Sequence, residues 1–255
     1  MIEILRNKAG LKVREIYFAS GMVASNTYRD IDMYIQCGVP ILKSKPFWTL
    51  TIDLRQDADA IFKGFKSSLR NEINKTIKKD GLIIHINSTP TVDDIASFSS
   101  FYDDFAAQRG IKKCNIPKLE AFRGAGQLII GSARGGPENR TLAMFSEISD
   151  GHRVRSYYAG TAPRVGNERA DIRLIGRASK LLRWRMILFL KHEGRNTYDF
   201  GGISRRQELE GVDEFKQSFG GVEVEEHNAI VGVSTLGRTA LKISGLLNRL
   251  TFHTF

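Results

Sequence analysis

The chain has 255 residues, 42% hydrophobic and 26% charged, which is enough apolar content to bury a full core and too much for a disordered chain. The opening residues, MIEILRNKAG, carry no apolar run of signal-peptide length, and no window approaches the roughly 18 apolar residues of a membrane span, so the expected location is the cytoplasm. A formal net charge of +10 predicts an anionic partner, whether phosphate, nucleic acid or lipid headgroup, with a merely solvated basic surface as the alternative.

Residues 1–46 give two short strands, KVREIYFAS and DMYIQCGV, and form an N-terminal extension to the main domain of residues 47–235. FWTLTIDL alternates as a strand. DADAIFKGFKSSLRNEINKTIKKDG follows as one helix, with Ile61, Phe65, Leu69, Ile73 and Ile77 inward, Asp57 as its cap and Gly81 at its end. Its other face carries Lys63, Lys66, Arg70, Lys75, Lys78 and Lys79 against one acid, Glu72: a solvated face, or a polyanion contact. LIIHIN is a strand. TVDDIASFSSFYDDFAAQRG is a helix with acids in its first turn and Gly110 at its end, and NIPKLEAFRGAG is a short helix around Pro117.

Three strands come next, QLIIGSA, NRTLAMFSEI and RVRSYYAGTA, joined by the hairpin turns RGGPE and SDGH. RLIGRASKLLRWRMILFLKHEG, residues 173–194, is a helix that opens with Gly176 and the cations Arg173, Arg177, Lys180 and Arg183, then turns apolar enough to be core. NTYDFGGI is a strand, VDEFKQSFGG a short helix and VEVEEHNAIVGVS a closing strand. Residues 236–255 hold an amphipathic basic helix, with Leu236, Ala240, Ile243, Leu247 and Leu250 on one face. It packs on the core or lies on an anionic membrane surface.

Three segments carry a resemblance to a known family: TLTIDLRQ through FKSSLRNEINKTIKKDGL with Arg70 and Ile73, GRASKLLRWRMILFLKHEGRNTYDFGGI, and GVDEFKQSFGGVEVE. Together they resemble the GNAT acyltransferases, in the Fem-type branch that builds peptidoglycan interpeptide bridges. The resemblance implies an α/β GNAT fold, with a mixed, mostly antiparallel sheet flanked by helices. It implies transfer of an acyl group from an acyl-CoA donor to an amine of a cell-envelope precursor. Fem-type enzymes carry two such domains and take an amino acid from aminoacyl-tRNA. This chain has room for one copy plus an extension, which leaves aminoacyl-tRNA as the alternative donor.

In that family a pyrophosphate is held by Arg or Gln, two residues, Gly, one residue, then Gly or Ala. Residues 173–178, RLIGRA, fit this spelling through Arg173, Gly176 and Ala178, with Arg177 and Lys180 at the edge. Free N–H groups at a helix start, the helix dipole and a residue without a side chain suit an anion. Equally, Gly176 and Ala178 let the helix pack closely on the sheet. The family pattern assigns the donor carbonyl to backbone N–H groups of SYYAGTA, at Tyr157, Tyr158 and Ala159.

Glu147 is a candidate general base, or a solvated strand-end carboxylate. Asp199, beside Gly201 and Gly202, faces a ligand or bonds its own turn. Lys216 matches the family's lysine before the closing glycines and faces the acceptor or its phosphate, or lies in solvent. Cys37 and Cys114, distant from each other, and His85, His152, His192, His227 and His253 show no ligand spacing, so no metal and no covalent enzyme intermediate are expected. A non-catalytic module that binds polyanions or membranes is the competing class.

Overall fold

The computed structural model describes residues 1–41, 43–136, 138–163, 169–204 and 210–243. They form two compact units, one of Met1–Thr49, Gly202–Ser204 and Glu223 onward, the other of Leu50–Gly201 with residues up to Val222.

In the first unit, β1 (Ile2–Lys8) and β2 (Leu11–Tyr17) make an antiparallel hairpin. Its two-residue turn has φ of 50° at Ala9 and 79° at Gly10, both in the left-handed range that matches strand twist. β3 (Ile31–Cys37) runs parallel to β2, and β10 (Val222–Gly232) runs antiparallel to β3. Val13, Ile31, Met33 and Ile230 pack on one side, and Ile16, Ala19, Tyr34, Cys37 and Ala229 form a second cluster. Arg14, almost fully buried, holds Asp32 through two hydrogen bonds of 2.9 and 2.7 Å.

The final described helix, α7 (Thr235–Ile243), places Leu241 against the first cluster while Leu236 and Ile243 stay exposed. A Cβ on Gly237 would stand 1.9 Å from the Asp30 carbonyl oxygen, so only glycine fits there. Residues 244–252 of the expected amphipathic helix lie outside the described residues.

The second unit has a mixed, mostly antiparallel sheet in the order β4-β9-β8-β7-β6-β5. The strands are β4 (Lys45–Asp53), β5 (Ile83–Asn87), β6 (Leu128–Gly135), β7 (Arg140–Ser149), β8 (Arg153–Thr161) and β9 (Thr197–Gly202). β5 to β8 pair antiparallel in turn; β8 and β9 pair parallel, joined by helix α5 (Arg169–His192). A Cβ on Gly131 of β6 would meet the Met186 sulfur at 2.9 Å, which marks where α5 lies tight on the sheet. On the opposite face, Gly160 of β8 lies under α3 (Val92–Arg109), against Phe101, Tyr102 and Phe105. Thr91 and Asp94 close a capping box at the start of α3, and Gly110 ends it with a left-handed φ of 63°. α4 (Ile116–Gly124) begins with Asn115 accepting from the Lys118 N–H.

Two expectations about helices are corrected. The single helix over residues 57–81 is two, α1 (Ala58–Gly64) and α2 (Ser67–Lys79), because Phe65 and Lys66 adopt extended backbone. Phe65 is drawn into an aromatic cluster with Phe62, Trp184 and Phe219, and the Lys66 N–H bonds the Ser218 carbonyl, so tertiary contacts replace helix continuity. Asp57 flanks α1 but makes no side-chain cap bond. The second correction is that α5 starts at Arg169, which places Gly176 about two turns inside the helix. Its N–H is therefore an interior helix donor, not one of the free N–H groups of a helix start.

Candidate functional site

β8 and β9 pair at Arg153 with Thr197, Val154 with Tyr198 and Arg155 with Asp199; β8 then runs on to Thr161. At the same level the register between β7 and β8 shifts, Ser146 facing Tyr158 and Glu147 facing Ser156, so Tyr157 is the extra residue of a β-bulge. The bulge turns both tyrosine rings toward α3 and α4. Tyr157 meets Phe122 edge-on at 5.2 Å, and Tyr158 meets Tyr102 at 4.8 Å. The Tyr158 hydroxyl accepts from the Asn115 N–H at 3.2 Å, and burial pushes its pKa up. The Tyr158 N–H donates to the Ser146 hydroxyl at 3.2 Å, and Ala159 is exposed.

A cleft of about 470 Å³ opens beside this stretch. Its walls are the end of α3 (Phe105, Gln108, Arg109), the end of β8 (Thr161), α5 (Ile172, Ile175, Gly176, Ser179, Lys180) and Phe215 of α6 (Glu210–Ser218). A Cβ on Gly176 would meet nothing within 4 Å. Gly176 therefore does not serve close packing on the sheet; that role falls to Gly131, while Ala178 is fully buried.

Three of the predicted polar residues, Glu147, Asp199 and Lys216, come within electrostatic reach of one another, none of them in the cleft lining, with Phe215 beside Lys216 on its wall. Glu147 is completely buried and accepts from Arg183 at 2.7 Å and from the Tyr198 hydroxyl at 3.1 Å. Burial raises its pKa to about 7 against the pull of Arg183, and its Oε2 has no hydrogen-bond partner among the described residues. This enclosure excludes the solvated strand-end carboxylate. Arg183 also donates to Ser156 Oγ at 3.0 Å and to the Tyr198 hydroxyl, and its guanidinium stands 4.0 Å from the centre of the Phe145 ring.

Asp199, fully buried, accepts from Arg153 at 3.1 and 2.6 Å and from the Gly201 N–H at 2.7 Å. Lys216 of α6 reaches the same cluster. Burial lowers its pKa to about 8, opposed by Asp213 and Asp199 and aided by Arg155. It is half-buried, not the free surface lysine of the alternative expectation. The turn after α6 is tight, since a Cβ on Gly220 would come 2.5 Å from the Gly64 carbonyl oxygen and one on Gly221 2.6 Å from that of Thr51.

The predicted cations of α5 separate. Arg173 is exposed, Arg177 pairs with Asp80 at 2.5 Å, Lys180 pairs with Glu72, and Arg183 points inward to Glu147. Lys180 and Gly176 reach the cleft wall; Arg173 and Arg177 do not line it. The partners Tyr198, Ser156 and Arg153 were not singled out in the sequence. Arg183, inside the run LLRWRMILFL, carried the usable signal, because an arginine in core sequence requires a buried acid. Among the described residues no cluster of His, Cys, Asp and Glu is arranged to hold a metal ion.

No protein-family model and no curated protein matches the sequence. Solved structures do resemble it. FemX aligns with a TM-score of 0.60 over 82% of this chain, at 12% identity, and the chain spans 65% of FemX. The C-terminal domain of a putative lysylphosphatidylglycerol synthetase from Agrobacterium fabrum aligns with a TM-score of 0.52 at 13% identity, covering 85% of this chain and 72% of that one. A conserved protein of unknown function from Bacteroides thetaiotaomicron gives 0.52 at 8% identity, over 80% and 63%. The parallel β8–β9 pair joined by α5, the antiparallel meander before it and these likenesses together give the chain the GNAT acyltransferase fold, in the form it shares with FemX.

Proposed function

We propose that the cleft beside β8 is the transfer site of an enzyme that forms an amide on an amine of a cell-envelope precursor, with an acyl-CoA as donor. The observation that carries this reading is Lys216, a half-buried cation with a lowered pKa, set with Asp199 and Arg155 where the β8–β9 pairing ends. Such a cation stabilises the oxyanion that forms when an amine attacks a carbonyl. The amine nitrogen forms the C–N bond, the C–S bond breaks, and the amine proton leaves to solvent or to the departing thiolate. Arg153 and the Gly201 N–H fix Asp199, while Tyr198 and Arg183, itself donating to Ser156, fix Glu147, so Glu147 acts as a positioning residue and not as the general base. Gly176 leaves room for the donor along the cleft wall, with Lys180 at its rim.

Aminoacyl-tRNA is the second donor reading. It draws on the likeness to FemX and on the exposed cations Lys63, Lys66, Lys75, Lys78 and Lys79. In either case the reading places the enzyme in the cytoplasm.

Calorimetric titration with coenzyme A and acetyl-CoA tests the donor site. Native protein is expected to bind, and Gly176→Leu to bind at least tenfold more weakly, because the added side chain occupies the cleft. Gly176→Ala, which removes a helix-interior glycine, is expected to melt higher, by about 0.5–1 kcal/mol of stability. Equal binding by native protein and Gly176→Leu would place the donor elsewhere.

A further inference from the structure

The cleft beside β8 carries charge of one sign. Among the described residues that line it there is no acid, while Arg109 of α3 and Lys180 of α5 both reach it. Lys180 is already paired with Glu72. Arg109 makes no ion pair among the described residues; its guanidinium stands 5.8 Å from the centre of the Phe105 ring, one turn back on α3 and itself part of the cleft wall. The last α3 carbonyls, of Ala106 and Ala107, accept from the Gly110 and Ile111 N–H groups, so this helix end offers the cleft a cation and not bare carbonyl oxygens.

Hydroxyl and amide donors stand in the same lining. Ser179 of α5 is only 8% exposed, and Thr161 ends β8; neither hydroxyl has a hydrogen-bond partner among the described residues. A largely buried hydroxyl without a partner is costly, and one that lines a cleft is satisfied by what enters it. The Gln108 amide is a further donor beside Arg109. A fork-shaped guanidinium with such donors around it matches a phosphate, whose ionised oxygens accept. An ammonium group would find no acid there.

We infer that the cleft holds a phosphate group of the substrate, with Arg109 as its main cation and Ser179 and Thr161 as further donors. The anion-binding residue of this site then comes from α3, and not from Arg173 and Arg177 of α5, which do not line the cleft. The inference rests on the reading of the cleft as the transfer site, and the phosphate belongs either to the donor or to the acceptor.

The test is calorimetric titration of the full chain with inorganic pyrophosphate, coenzyme A and pantetheine. Native protein is compared with Arg109→Gln and, as a control for general charge, with Lys75→Gln, an exposed α2 lysine outside the cleft lining. Arg109→Gln is expected to bind pyrophosphate about tenfold more weakly or worse, the loss of a charge-assisted pair, and Lys75→Gln to bind it as the native protein does. Both side chains are exposed, so unchanged melting temperatures separate lost binding from lost folding. If the phosphate is the donor's, coenzyme A loses the same factor in Arg109→Gln while pantetheine, which has no phosphate, loses nothing. If it is the acceptor's, coenzyme A is unaffected and pyrophosphate still binds the protein saturated with coenzyme A. Pyrophosphate that fails to bind the native protein at millimolar concentration, binds Arg109→Gln equally well, or loses as much in Lys75→Gln would overturn the inference. Pyrophosphate binding that needs Arg109, with no binding of coenzyme A, would keep the phosphate site and remove the acyl-CoA donor, so the two readings fail separately.

Discussion

Replacing Lys216 by methionine is expected to lower the transfer rate about 100- to 1,000-fold, the usual cost of removing one donor to a developing oxyanion. The pH profile separates a catalytic cation from a structural one. With its pKa lowered to about 8, Lys216 is charged below that pH, so the native rate should be level on the acid side and fall as pH rises through about 8. Lys216→Arg keeps a charge at every accessible pH; it should retain part of the rate and lose the alkaline limb.

Loss of folding is not the expected cause. A lysine whose folded pKa lies below its unfolded one contributes stability that is present above the unfolded pKa and lost as pH falls through the folded value. At pH 7 the charged Lys216 therefore costs stability, and the methionine variant should melt no lower than the native protein. A native rate in Lys216→Met, or a rate that rises through pH 8, would remove the oxyanion role.

The largest effect on stability is expected from Arg183→Met. It leaves the Glu147 carboxylate completely buried beside Tyr198 without its cation, at a cost of about 3–5 kcal/mol. For a chain of this size that is roughly 10 °C in Tm. The sign with pH follows from the raised pKa of Glu147: its contribution is present below the ordinary glutamate value and lost as pH rises through about 7. The loss in Arg183→Met should therefore be larger at pH 8 than at pH 5, where the acid can stay neutral. Glu147→Gln in the same background should restore part of it. Thermal melts of the native protein and the two variants at the two pH values measure this; a pH-independent loss would mean that packing around Phe145, not charge, sets the cost.

The contrast between these residues shows what was legible in the sequence. Local rules found α3, whose Thr91 box and Gly110 stop are set within one helix, and the meander of β6 to β8, whose alternation and turns are short-range. They offered Glu147 and Asp199 as candidates, each beside a structural alternative, whereas Lys216 came from the family resemblance. They missed β1, whose buried Ile2 and Ile4 alternate with exposed Glu3 and Leu5 too briefly to stand out. The break at Phe65 and Lys66 escaped them too, because its cause is an aromatic cluster assembled from Trp184 and Phe219, more than a hundred residues away. The same limit applies to the four cations of α5. Their spacing suggests one anion site, yet Arg177 finds Asp80 at the end of α2, Lys180 finds Glu72 within it, and Arg183 finds Glu147 on β7. Gly176 is the instructive case: one letter fits both a packing contact and a ligand wall, and only the empty space around its Cα separates them.

The most direct test of the central claim is mass spectrometry of an amine-bearing envelope precursor after incubation with the full chain and acetyl-CoA, with free thiol measured in parallel. The claim predicts a mass gain of one acyl group on the amine, thiol released in equal amount, and loss of both in Lys216→Met. An unchanged precursor with acetyl-CoA, beside a precursor that gains an amino acid from aminoacyl-tRNA, would contradict the acyl-CoA donor.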